Sequence, residues 1–367
     1  MGVKLKMAKV LHSVTDKSLY DALCQPRVTT SELRELFLER GIIISKKTDK
    51  KELAKNFSKL THDYYVQKRI SDIFGGFLHK EKTTSLVLND PIDRVILKEA
   101  ATLLKKEVEE AQDFCQVLND KNNIIIYITY TSTNYGKSDF SQIEKKTARF
   151  EIENLDAGYS IRRPDNEQTD AYLDSLLSKI EKLEKKRIIS EGGDASKLTL
   201  NVDEISLENI EDGEKRTTFF TRLINELEGY TLDDVTDAYV YHPKKEVIED
   251  EDGDSSTGVH ISKASLKGEG VLKSEELISL YERGFYIWKI RWRVKDHSSE
   301  PNLYEFEAQF DNPLEFNGFS YISRGVKKFK AGGVYNKTSS QLSDSQETAF
   351  NRLIEKTARS IIVELNK

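Results

Sequence analysis

At 367 residues the chain is long enough for two or three domains with substantial cores. Its 38% hydrophobic and 32% charged residues lie on the polar side of globular, and 16 Tyr, 16 Phe and 2 Trp exclude wholesale disorder. The net charge of −6 hides an asymmetry: residues 1–80 carry 16 Lys and Arg against 9 Asp and Glu, or +7, which leaves −13 for the rest. That division makes the basic end the candidate for contact with a polyanion.

The opening MGVKLKMAKVLHSV is basic but lacks the continuous apolar core and small-residue cleavage site of a secretion signal. Residues 1–118 read as helix throughout, with apolar residues recurring at three and four in Leu33, Leu36 and Phe37, then Leu53 and Phe57, then Ile96, Leu97, Leu103 and Leu104. Gly75-Gly76 and Asn89-Asp90-Pro91 punctuate this stretch. Asn123–Thr131 is β-branched and aromatic, as a buried strand should be, and Thr147–Glu153 alternates and could pair with it. A long helix is expected over Asp165–Ile188, then a strand near Leu198–Ile205, a helix near Thr217–Glu228 and a strand at Ala238–Tyr241. Lys244–Gly258 is crowded with acids, Gly and Ser and reads as a connection. Beyond it come a strand near Val259–Leu266, a helix over Ser274–Arg283, and a closing helix with Phe350, Leu353, Ile354, Ala358, Ile361, Ile362 and Leu365 on its apolar face.

Between those last two helices lies the clearest local pattern. Trp288, Ile290, Trp292 and Val294 alternate with Lys289, Arg291 and Arg293, and Tyr304, Phe306, Ala308 and Phe310 alternate with Glu305, Glu307 and Gln309. An antiparallel hairpin would bury both aromatic faces and set cations against Glu across the strands. A basic, aromatic stripe for single strands is the functional alternative.

The stretch VTTSELRELFLERGIIISKKTDKKELAKNFSKL, Val28–Leu60, reads as a short amphipathic helix, a glycine, an extended apolar loop and a second, lysine-rich helix. Through Val28, Glu32-Leu33, Leu36, Arg40-Gly41-Ile42 and Lys51-Glu52-Leu53 it resembles the SAP module, a helix–extended-loop–helix family that binds DNA. The resemblance implies that the leucines pack against the second helix, that the glycine turns the chain, and that basic residues near the second helix meet phosphates. By position these are Arg40, Lys46, Lys47, Lys50 and Lys51. Thr48 or Asp49 would cap that helix, whose first N–H groups favour an anion. The loop is about two residues longer than is usual in the family and lacks its second glycine.

Other patterns fail on chemistry. Gly136-Lys137-Ser138 follows a strand, but Thr131 stands where a phosphate loop needs its first glycine. His62-Asp63 resembles the adjacent pair of metal-dependent phosphohydrolases, yet with only six histidines the further candidates, such as His12 and His79, are thin, so a helix end is the simpler reading. In the run Glu249–Asp254, placing Gly253 sixth in a calcium loop puts Ile248 first, where a carboxylate is needed. Glu144-Lys145-Lys146 has the Glu-x-Lys spacing of restriction-type nucleases but precedes the strand. His260 is a lone histidine on an expected strand, and no Gly-x-Ser-x-Gly elbow occurs.

The expected fold class is α+β: an N-terminal helical region, 1–118, then a mixed, largely antiparallel body. Its segments 119–243 and 259–367 form either one domain or two, with 244–258 as an acidic linker or loop. No catalytic residue, metal site or cofactor is called for. The expectation is a cytoplasmic, non-enzymatic protein without a membrane span that contacts nucleic acid, DNA in the resembled family, through its basic module. The acidic body would take a protein partner or small ligand. The alternatives are an adaptor or sensor of a multiprotein complex, such as a bacterial defence assembly, with the helices docking protein, and a metal-dependent nuclease or nucleotide hydrolase without a recognisable motif.

Overall fold

A computed structural model describes residues 15–75, 80–120, 122–134, 136, 140, 142–196, 198–243, 262–330 and 332–367. His12, His79, Lys137, Ser138, His260 and the acidic segment 244–258 lie outside the described residues. The fold is mixed α+β. Four helices come first: α1 (Asp16–Cys24), α2 (Thr30–Leu38), α3 (Lys50–Ser58) and α4 (Tyr64–Gly75). Then follow β1 (Thr83–Leu88), α5 (Arg94–Glu110), β2 (Phe114–Asn119), β3 (Asn123–Thr133), β4 (Ile143–Asn154), β5 (Tyr159–Pro164) and α6 (Glu167–Ser190). The chain continues through β6 (Val202–Glu204), α7 (Gly213–Asn225), β7 (Tyr230–Tyr241), β8 (Lys263–Lys267) and α8 (Glu275–Glu282). It ends with β9 (Tyr286–Asp296), β10 (Leu303–Asn312), β11 (Asn317–Lys327), the short β12 (Phe329–Lys330) and β13 (Val334–Tyr335), and α9 (Asp344–Leu365).

Helix is found where expected from Asp16 to Gly75 and again in α5, but β1 and β2 are strands inside the stretch read as helical. The physical reason is visible in β1. Its Ser85-Leu86-Val87-Leu88 run is buried on both faces, so it shows no period-2 alternation to set it apart from a helix. Tertiary pairing decides it: all six residues of β1 pair antiparallel with β5. The strand expected over Leu198–Ile205 shrinks to the three residues of β6, and β11 was not anticipated at all.

The described residues group into two compact units, one within 1–79, 99–118 and 126–149, the other within 80–98, 119–125 and 150–367. In the first, Leu19, Leu23, Val28, Leu33, Leu36, Phe37, Leu53, Phe57 and Ile70 form one buried cluster beneath α1–α4. In the second, strands are hydrogen-bonded in the order β5-β1-β11-β10-β9-β7-β8, and β6 pairs with β1 over Leu86–Leu88.

The hairpin read from alternation is present in the expected register, with Tyr304 opposite Val294, Phe306 opposite Trp292 and Ala308 opposite Ile290. The apolar face of β9–β11 is buried together with α7 and α9, where Phe219, Phe220, Phe350, Ile354 and Ile361 join Trp292, Phe306, Phe310 and Tyr321. Phe350 lies 4.9 Å from Phe306, ring centre to ring centre, and Phe310 stacks on Phe316 at 4.4 Å. Burying each such ring contributes roughly 1.5–3 kcal/mol. The opposite face holds the charges in pairs: Lys289–Glu307 at 2.8 Å, Arg291–Glu305 at 2.6 Å, Arg293–Asp234 at 3.2 Å and Lys295–Asp233 at 2.6 Å. The cations of β9 are thus neutralised by neighbouring strands, which removes the basis for reading them as a basic stripe.

Candidate nucleic-acid interface

The Val28–Leu60 segment folds as two helices joined through a turn and an extended stretch. Thr29 caps α2 with a full capping box, its hydroxyl accepting from the Glu32 N–H while the Glu32 carboxylate accepts from the Thr29 N–H. At the other end Gly41 adopts φ +71°, the Gly41 N–H donates to Leu38 O and the Ile42 N–H to Phe37 O. This is the Schellman arrangement, which needs a left-handed residue at that point. Leu33 and Leu36 of α2 share the buried cluster with Leu53 and Phe57 of α3. Phe37 meets Phe57 edge-on at 5.1 Å.

Between the helices the chain runs without regular structure from Ile42 to Asp49. Arg34 of α2 fastens it by donating to the carbonyls of Lys46, at 2.7 Å, and Thr48, at 3.3 Å. These bonds hold the backbone of Lys46 while its side chain stays exposed.

The five residues named from the sequence separate into two groups. Lys46, Lys47 and Lys51 are exposed and have no ion-pair or side-chain hydrogen-bond partner among the described residues. Arg40 and Lys50 are used by the fold. Arg40 donates to the Thr61 carbonyl at 2.6 Å, lies 3.1 Å from His62 Nδ1, and covers the Phe57 ring at 5.3 Å. Lys50 donates to the carbonyls of Cys24 and Gln25, at 3.2 and 2.5 Å, and so completes the C-terminal end of α1.

Asp49 is the cap of α3, its carboxylate accepting from the Glu52 N–H at 2.9 Å. The helix end that was expected to attract an anion therefore already carries one. The available positive charge sits beside it instead. Lys55 and Lys59 are also exposed without an ion-pair partner among the described residues, and with Lys51 they recur every four residues along one face. The i, i+4 and i+8 spacing of Lys51, Lys55 and Lys59 is visible in the sequence.

His62 has an ordinary structural place: Nε2 is 2.9 Å from the Phe57 carbonyl, and burial, helped by Arg40, holds its pKa below the usual histidine value. Among the described residues no group of three or more His, Cys, Asp and Glu is placed to hold a metal ion. No described helix is long and apolar enough to cross a membrane.

One polar cluster in the second unit had no sequence signal. Asp165, just beyond β5, lies beside Asp311 of β10, and burial together with the second carboxylate pushes the Asp165 pKa up to about 6. Asp311 also accepts from Gln309, and the Ser320 hydroxyl lies 3.5 Å from it. Burial and the nearby Lys289 lower the pKa of Lys82, whose carbonyl accepts from the Asp165 N–H. The two acids come from segments far apart in sequence, and their proximity disfavours ionising both. Comparison of the chain with protein-family models and with curated proteins finds no match.

Proposed function

We propose that this protein contacts the sugar-phosphate backbone of nucleic acid through the exposed lysines of its N-terminal helix–loop–helix. One observation carries the reading: Lys46, Lys47, Lys51, Lys55 and Lys59 are exposed and unpaired among the described residues, on a segment whose backbone Arg34 holds in place. Unpaired cations on a fixed backbone bind phosphates by releasing counterions, with little regard for sequence. Duplex DNA is the partner this reading favours, in keeping with the SAP resemblance.

The test is fluorescence anisotropy of labelled duplex DNA with the full chain. Changing Lys46, Lys47, Lys51, Lys55 and Lys59 to Gln should weaken binding by about tenfold or more at physiological salt. Lys50→Met is the control. It removes the hydrogen bonds to Cys24 and Gln25, so it should cost about 1–2 kcal/mol of stability and leave phosphate contacts unchanged. Equal binding by the wild type and the five-lysine variant would refute the proposal.

A second reading, docking of protein, is favoured by Leu38 and Ile43, which flank the Gly41 turn with 62% and 87% of their surface exposed. On that reading Leu38→Ser with Ile43→Ser abolishes a protein complex while leaving DNA binding untouched.

A further inference from the structure

From Phe316 to Ser343 the sequence contains Arg324, Lys327, Lys328, Lys330 and Lys337 and not one Asp or Glu. The chain there leaves the sheet as a narrow two-stranded ribbon. Val326 and Ser340 exchange both backbone hydrogen bonds, at 3.0 and 2.8 Å, and the Asn336 N–H donates to Lys328 O at 3.0 Å. Phe329 then pairs with Tyr335 and Lys330 with Val334. Gly332 and Gly333, at φ +89° and +80°, turn the chain before β13. At the base Gly325 lets the returning strand close in, since a Cβ there would stand 2.6 Å from the Ser340 carbonyl.

The charges of this ribbon differ from those of the sheet beside it. Arg324 pairs with Glu307, as the β9 cations pair with their own acids. Lys327, Lys328, Lys330 and Lys337 have no ion-pair partner among the described residues, and the last three are exposed. We propose that the ribbon running from the end of β11 through β12 and β13 is a second nucleic-acid contact, with Lys327 at its base and Lys328, Lys330 and Lys337 along it meeting phosphates on the two sides of a duplex groove. The inference rests on the nucleic-acid reading above but uses different residues.

Two features favour nucleic acid over an anionic membrane. A two-stranded ribbon matches the width of the DNA major groove. Membrane attachment wants several exposed apolar side chains beside the lysines. Here Phe329 and Tyr335 pack on each other at 5.9 Å, and Lys295 covers the Tyr335 ring at 5.9 Å. Val334 is the one large apolar side chain of the ribbon exposed among the described residues.

The experiment measures the salt dependence of duplex DNA binding by the full chain and two variants, with phosphatidylserine vesicles as a parallel probe. The ribbon variant carries Gln at 327, 328, 330 and 337, and the module variant carries Gln at 46, 47, 51, 55 and 59. Circular dichroism and thermal melting verify that both stay folded. The slope of log K against log salt should become shallower by about 3–4 in the ribbon variant, near 0.9 for each lost phosphate contact. If the ribbon variant loses that slope while the module variant keeps its own, the ribbon inference stands and the module reading fails. A ribbon variant with the wild-type slope overturns the inference whatever the module variant does. Loss of vesicle binding with DNA binding retained also overturns it, and a wild type that binds no DNA overturns both.

Discussion

The Arg34 guanidinium donates to the carbonyl oxygen of Lys46 at 2.7 Å, so one cation anchors the backbone that presents another. Replacing Arg34 with Met removes this bond and the longer one to Thr48 while leaving every exposed lysine of the module in place. Affinity for DNA should fall by about three- to tenfold, because the loop must then be ordered on binding. The salt slope should not change, since the number of phosphate contacts is the same. Anisotropy titrations at several salt concentrations separate the two effects; a shallower slope for Arg34→Met would place the guanidinium on a phosphate instead.

In the second unit, Arg162 of β5 and Glu355 of α9 form an ion pair at 2.5 Å, with both residues under a tenth exposed. Ser160 donates to the other Glu355 oxygen at 2.9 Å, and Arg162 also meets Glu153. Glu355→Ala leaves Arg162 with one acid in place of two and should cost about 3–5 kcal/mol. The double change Arg162→Met with Glu355→Leu should recover much of that loss, because a buried pair contributes little beyond an apolar replacement. Urea denaturation of the two variants checks this, and a double variant no more stable than Glu355→Ala would show that the charges themselves are needed.

Asp165 yields a pH prediction. Its folded pKa of about 6 exceeds the ordinary aspartate value of 3.8, so the folded state holds the proton more tightly than the unfolded chain does. The stability this provides is present below pH 4, declines between about pH 4 and 6, and is absent above. Asp165→Asn mimics the protonated form. It should leave stability near pH 4 unchanged and raise it at pH 7–8 by on the order of 1 kcal/mol, after discounting for solvent screening. Thermal melting across pH 4–8 measures the difference, and an equal effect of the substitution at both ends would refute the raised pKa of Asp165.

How legible these features were depended on how local their causes are. The β9–β10 hairpin could be read because one face is apolar and the other charged at every second residue. Strand β11 hid because Ser320 and Ser323 are buried among its aromatic residues, which breaks the alternation. Helices α2 and α3 announced themselves through Leu33, Leu36, Leu53 and Phe57 at helical spacing, with Gly41 and Asp49 marking the turn and the second cap, all acting within a few residues. The work of Arg40 and Lys50 was hidden, since their partners are the carbonyls of Thr61, Cys24 and Gln25, and a carbonyl leaves no mark in a sequence. Asp165 and Asp311 meet only through the strand order of the folded sheet.

The central claim is that unpaired lysines bind phosphates, and the salt slope of wild-type binding to duplex DNA tests it most directly. Between about 50 and 200 mM salt, five phosphate contacts predict a slope of log K against log salt of about −4 to −5, steeper if the ribbon also engages. A slope shallower than about −1, or no binding at tens of micromolar protein, would contradict the account.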